Sequence, residues 1–353
     1  MKKILVINPG STSTKIAVYH DLRPAWQGGA HHPAAELAQF ASAASQKDYR
    51  RQFVLDRLAA DGIPLSFDAV IARGGLLRPV AGGVYAVNSL MISHLEHARM
   101  DHACNLGAPI ALDIAQRCGC PALIADPVVV DELEPRARLS GLPGMERRSI
   151  FHALNQKAVA RRYARSQGRS YDDMLLVVAH LGGGISVGAH LRGQVVDVNN
   201  ALNGEGPFSP ERAGTLPACS LAQLCFSGRY TPQQVSRLLA GSGGLMAHLG
   251  TNDMITVASR AQAGEEPYSS VLRAMLYGVA KQIGAMTAAL GAAPDAIILT
   301  GGIAYSQYCT DEISRQVGFL APIVVCPGED EMGALAENAL GAINGTLNVK
   351  TYE

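Results

Sequence analysis

The sequence predicts a mixed α/β chain of two domains around a cleft, and three observations carry that expectation. The chain has 353 residues, more than one ordinary core holds. Short β-rich runs alternate with helical ones along its length. One supersecondary unit, a strand, a small-residue bend and a second strand, occurs twice: ILVINPGSTSTKIAVY at 4–19 and MLLVVAHLGGGISVGAHL at 174–191. Two copies suggest a duplicated domain, each half giving one bend to a shared site. The expected division is 1–150, joined by a C-terminal helix at 333–353, and 151–332.

Taken in order, residues 4–6 and 16–19 read as the strands of the first hairpin. Residues 67–72 form a further strand, ended by Arg73-Gly74-Gly75. Asn88 or Ser89 caps a helix through Leu90, His94 and Met100, and 110–117 is a second helix. Residues 121–126 read as a buried strand with Asp126 at its end. Ser149 is expected to cap a helix whose apolar face includes Phe151, Leu154, Val159 and Tyr163. After the second hairpin come a long helix over 268–290, a strand at 296–299 leading into Thr300-Gly301-Gly302-Ile303, another helix, and a C-terminal helix over 332–340.

Bulk properties exclude several classes. Lys plus Arg and Asp plus Glu balance at 30 each, without a long basic block, so no nucleic-acid or membrane-surface partner is expected. Met1-Lys2-Lys3 precedes only a short apolar run before Asn8-Pro9-Gly10, which is no secretory core, so a cytoplasmic location is expected. Seven cysteines, an odd number, point to reduced thiols, and Cys118-Gly119-Cys120 lacks zinc-site spacing. His94 and His97 share a helix face but His102, beside Cys104, falls well round it, so they read as a surface or partly buried helix, not metal ligands.

The known glycine motifs fail in context. Gly10 to Lys15 lacks the second glycine of a Walker A loop and is followed by a strand. In 181–188, Val187 stands where a dinucleotide fingerprint needs its third glycine. Gly184-Ile185-Ser186-Val187-Gly188 matches GxSxG, but the nucleophile elbow needs a helix after the serine, and here a strand continues. What the bends can do is aim backbone N–H groups and short hydroxyls at phosphoryl oxygens. Ser11, Thr12, Ser13, Gly182, Gly183 and Gly184 are the candidates, with Lys15 adding charge. His152, Arg73 and Arg212, the last in the Gly- and Pro-rich loop 204–214, are candidates to face a ligand, each against an ordinary core or surface role.

Together, INPGSTSTK, ARGG, DPVVVDEL, FHALNQK, HLGGGISVGAH, ERAG, TGGIA and PGEDEM resemble the acetokinase group of carboxylate kinases over nearly the whole chain. That resemblance implies the duplicated ribonuclease H-like fold of actin, sugar kinases and chaperone ATPases, which grips ATP phosphates between two hairpin bends with an interdomain cleft. It implies phosphorylation of a short-chain fatty acid by direct in-line transfer, ATP + butyrate = ADP + butyryl phosphate, reversibly. Isobutyrate, acetate or propionate are alternative acids, and an actin-like nucleotide switch is the alternative of another class. By resemblance, His152, Arg73 and Arg212 contact the transferred phosphoryl group, and Asp126 and the segment with Glu329 and Glu331 serve Mg²⁺ or its waters. Asn8, Gly10 and His180 join the phosphate-binding set, and Gly301, Gly302 and Ile303 line the adenosine with Asn252 and Asp253 nearby. A homo-oligomer is also implied. The chain departs from acetate kinases in having Gly183 for Asn, Arg73 a few residues late, and Ala72 and Ala103 for bulkier residues, suggesting room for a longer acid.

Overall fold

The computed structural model describes residues 1–98 and 100–353. The first strands are β1 (Lys3–Pro9), β2 (Ser13–His20), β3 (Arg23–His31), β4 (Ala69–Arg73), β5 (Val84–Ala86) and β6 (Ala122–Ala125). Then follow β7 (Leu175–Leu181), β8 (Ile185–Leu191), β9 (Gln194–Val198), β10 (Ala296–Gly301), β11 (Ile323–Pro327) and β12 (Val349–Thr351). The chain divides into two compact units, Met1–Val130 with Asp330–Glu353, and Asp131–Glu329.

The first unit holds a sheet in the order β12-β5-β6-β4-β1-β2-β3, and the second a sheet in the order β11-β10-β7-β8-β9. Five strands correspond one to one. β1 pairs antiparallel with β2 and parallel with β4, and β4 runs parallel to β6. In the same way β7 pairs antiparallel with β8 and parallel with β10, and β10 runs parallel to β11. Each hairpin continues into a third antiparallel strand whose pairing carries a register shift, at Val18/Tyr19 in one copy and Ala189/His190 in the other. The repetition seen in sequence is thus a repeated sheet topology.

Burial follows the two-residue period of the strands. In the second unit Val177, Ala179, Val187 and Leu299 pack with Leu272, Met275, Leu276, Val279 and Ile283 of the helix Tyr268–Leu290. Leu176, Val178 and Ile298 face the opposite side, against Val159 and Ala160 of the helix Ala153–Ser166. Each fully buried aliphatic residue of this kind contributes about 1.5–3 kcal/mol. In the first unit Leu5, Ile7, Val70 and Ala72 pack with Val54 and Leu58 of the helix Lys47–Ala60 and Ile110 and Ile114 of the helix Gly107–Cys118. The C-terminal helix Glu331–Ile343 contacts β1, β4 and β6, and Asp330 caps it by accepting the Gly333 N–H. No helix among the described residues is long and apolar enough to cross a membrane.

Three local expectations change. The helix expected to start at a Ser149 cap begins at Ala153 with His152 at its N-cap, because a tight turn from Ala153 N–H to Phe151 O precedes it. The helix Ser89–Glu96, capped by Asn88 as expected, stops short of Met100, where a His97 ring nitrogen lies 2.8 Å from the Ser93 carbonyl. Strand β3 has no counterpart in the sequence reading, since Pro24, Gly28 and Gly29 disguise it; a Cβ on Gly29 would lie 2.8 Å from the Thr14 carbonyl.

The boundary between units falls at 130/131, where the sequence reading had 150/151. Residues 131–150 belong with the second unit for a physical reason. Glu132 pairs with the buried Lys157 at 2.9 Å, Glu134 N–H donates to the Val196 carbonyl, and Arg147 bonds Asp197 and the Val198 carbonyl.

Candidate active site

In the first unit the chain turns between β1 and β2 through Gly10, Ser11 and Thr12, with Gly10 N–H donating to Ser13 O at 2.7 Å. The bend is gripped from behind by Arg50, fully buried in the helix Lys47–Ala60. Its Nη1 donates to Gly10 O at 2.7 Å and Ser13 O at 3.0 Å, its Nη2 to Ser11 O at 2.9 Å, and its Nε and Nη2 to Gln46 Oε1. A trans peptide points its N–H opposite its C=O. Carbonyls of Gly10 and Ser11 turned towards Arg50 therefore direct the N–H groups of Ser11 and Thr12, both exposed residues, away from it. Successive outward N–H groups make an anion-binding concavity. Burial pushes the Arg50 guanidinium pKa down, yet an arginine keeps its charge.

Beside this bend Asn8 Nδ2 donates to Glu331 Oε2 at 2.7 Å, and Arg73 Nη1 lies 3.3 Å from Glu331 Oε1. Residues at opposite ends of the chain thus meet, because the C-terminal helix starts at Glu331 over β1 and β4. Asp126, just past β6, has φ of 38°, unusual for a residue with a side chain. Its buried carboxylate accepts the Gly83 N–H at 2.7 Å. Lys15 lies on β2, opposite Asn8 in register and exposed, not in the bend itself.

In the second unit Gly182, Gly183 and Gly184 join β7 to β8. Around them stand the ends of β10 and β11. Gly301, with φ of 88°, exchanges two backbone hydrogen bonds with Gly328, and a Cβ on it would lie 2.4 Å from Leu181 O. The Glu329 carboxylate is 2.9 Å from His180 Nε2, off the line of a hydrogen bond. His180 Nδ1 meets Asn155 Oδ1 at 2.7 Å, and the His180 ring stacks on His152 with centroids 3.7 Å apart.

The loop 204–214 closes the other side. Ser209 Oγ donates to Gly183 O at 2.6 Å, and the half-buried Arg212 guanidinium donates to Ala201 O. A Cβ on Gly184 would lie 1.8 Å from Arg212 Nη1, so only glycine lets the cation lie against the bend. Burial pushes the Arg212 pKa down.

The structure therefore gathers Asn8, Arg73 and Glu331 in one unit, and His152, His180, Gly182, Gly183, Gly184, Arg212, Gly301 and Glu329 in the other. Asn252 is tied to the second set through Glu211 Oε1 at 2.6 Å, whereas the Asp253 side chain caps its own helix and the Ile303 side chain is buried in the core. Gly302 follows Gly301, and a Cβ there would meet nothing within 4 Å. Sequence reasoning missed Arg50, Asn155 and Ser209. Arg50 does leave a signal, since it shares a helical stripe with Val54 and Leu58, where a cation needs a buried partner.

A model described as the acetokinase family matches residues 144–323. A probable butyrate kinase of Phocaeicola vulgatus is 63% identical over 350 residues, covering 99% of both chains. A second probable butyrate kinase, of Bacteroides thetaiotaomicron, is 52% identical over 352 residues, covering 99% of this chain and 100% of the relative. Among solved structures, Porphyromonas gingivalis acetate kinase superposes with a TM-score of 0.77 at 20% identity, over 96% of this chain and 98% of that one. A propionate kinase from Francisella tularensis superposes with a TM-score of 0.74 at 16% identity, over 96% and 99%. These two structures share the two-domain acetokinase-type fold of this chain. With full-length relatives at such identity, the chain belongs to the acetokinase family.

Proposed function

We propose that this chain transfers the γ-phosphoryl group of ATP to a short-chain fatty acid, with butyrate as the preferred acid: ATP + butyrate = ADP + butyryl phosphate. The observation that carries this reading is the Arg212 guanidinium laid against Gly184 in a glycine-lined bend, beside the stacked pair His152 and His180. The names of the two full-length relatives favour butyrate over a shorter acid.

A fatty acid has a solution pKa near ~4–5 and is already ionised at neutral pH, so attack needs no general base. Catalysis then reduces to alignment and to offsetting the repulsion between two anions. In this reading the N–H groups of Ser11 and Thr12 in the first unit, and the bend Gly182–Gly184 in the second, are the groups that bind phosphate oxygens. Arg212, Arg73 and His152 meet the moving phosphoryl group, and Gly301 and Gly302 border the adenosine.

Mg²⁺ would come with ATP and supply charge neutralisation on the phosphates. Glu331 and Glu329 offer the hard oxygen donors it prefers, and Asp126 lies in the same unit as Glu331. Among the described residues no three His, Cys, Asp or Glu cluster as a cage. A magnesium ion here would thus take one or two carboxylates plus phosphate oxygens and water, its usual habit in kinases.

The test is ADP release with Mg-ATP against acetate, butyrate, isobutyrate and glycerol, with a hydroxamate trap for acyl phosphate. The expected result is the highest kcat/KM on butyrate and trapped butyryl hydroxamate. Turnover of glycerol without hydroxamate, or ATP hydrolysis indifferent to acid, overturns the reading.

A further inference from the structure

Ser186, the serine of the GxSxG match, is no nucleophile: it lies inside β8, fully buried. Its hydroxyl meets two polar partners among the described residues, His152 Nδ1 at 2.8 Å and Gln156 Nε2 at 2.8 Å. Behind them a chain of buried groups continues. Gln156 Oε1 is 3.0 Å from His190 Nε2, and His190 Nδ1 is 2.7 Å from the Tyr171 hydroxyl.

The direction of every hydrogen in this chain follows from chemistry. The Gln156 amide nitrogen also donates to the Ser186 backbone carbonyl at 3.0 Å, which can only accept, so the amide cannot be flipped. Its oxygen must then accept from His190 Nε2–H. Burial, and to a lesser degree the charges of Lys157 and Arg161, hold the His190 pKa well below the usual value, so the ring is neutral and its Nδ1 accepts from Tyr171. At the other end, Ser186 Oγ already accepts from Gln156, so its own hydrogen goes to His152 Nδ1. Otherwise a buried hydroxyl hydrogen would be unpaired. The glycine at 188 makes room for this, since a Cβ there would lie 2.6 Å from Gln156 Oε1.

We propose that Ser186, oriented by Gln156 and His190, is a positioning residue that keeps His152 in its neutral Nε2–H form, so that the ring meets the phosphoryl group as a hydrogen-bond donor. This rests on the kinase reading for the role of His152, but the tautomer stands on the buried chain alone. It makes His152 a neutral donor and leaves Arg73 and Arg212 as the cations of the proposed site. No proton is transferred in this role; the ring only donates.

The test uses the full chain labelled with ¹⁵N-histidine, with His152 assigned by comparison with His152→Gln. Long-range ¹H–¹⁵N spectra of the wild type at neutral pH should show His152 protonated on Nε2 alone. Ser186→Ala and Gln156→Leu should each give a mixture of tautomers. Ser186→Ala should also lower kcat roughly 10-fold with KM for ATP little changed, as expected when a donor is present only part of the time. A wild-type ring protonated on Nδ1, or carrying both protons, overturns the proposal, as does a Ser186→Ala spectrum identical to wild type. Because the spectra need no turnover, they separate failure of this assignment from failure of the kinase reading, which the acyl-phosphate trap decides.

Discussion

A cation sealed under a glycine bend is a costly thing to build unless every hydrogen it carries is taken up. Arg50 meets that demand through backbone carbonyls and one amide, reaching Gly10, Ser11, Ser13 and Gln46. Lysine offers a point charge with no planar fork and cannot serve so many acceptors at once. Arg50→Lys is therefore expected to cost about 3 kcal/mol of stability through carbonyls left without donors. It should also raise KM for ATP roughly 5-fold as the bend loses its set orientation. Urea unfolding and steady-state kinetics check both, and unchanged KM with lowered stability would confine Arg50 to a structural role.

At the scale of elements, loop 204–214 and the β7–β8 bend form one device, joined by Ser209 to Gly183 and Arg212 against Gly184. If Arg212 acts on the phosphoryl group, displacing it should hurt as much as deleting it. Gly184→Ala places a methyl where the guanidinium lies, so it is expected to lower kcat by about 10²–10³, as Arg212→Ala should. KM for ATP should change far less in either variant. Parallel kinetics on the two variants test this, and a Gly184→Ala enzyme with wild-type kcat would remove Arg212 from the chemistry. The segment 131–150 is held to the second unit in another way, by the pair Lys157–Glu132, both nearly dry. Such a pair adds little net stability when whole, but breaking it strands a charge.

For the whole molecule the buried histidines set the response to acid. Burial lowers the pKa of His190 in the second unit and of His32 in the first. Each is free to charge at its ordinary value of 6.5 once unfolded. The stability they give is complete above that value and is lost as pH falls from it towards the lower folded values. Each such group adds a slope of about 1.4 kcal/mol per pH unit in that window. Denaturant melts from about pH 7.5 to about pH 5.5 should show stability falling on the acid side, and His190→Asn should flatten the slope. A profile that does not change between wild type and His190→Asn would mean that His190 is charged in the fold.

Sequence alone determined what short stretches determine: the two strand–bend–strand units, the helix Tyr268–Leu290 and the candidate set around HLGGG and INPGS. Apolar period and glycine punctuation act within a few residues, so they can be read without the fold. The disguised strand β3 and the allegiance of 131–150 could not, because distant partners settle both of them. The same holds for Arg50, which reaches back across the chain to Gly10, and for Ser186, which meets His152 only once β8 lies beside that helix. A polar side chain enters the interior when some other part of the chain satisfies it. Only the tertiary structure decides which part that is.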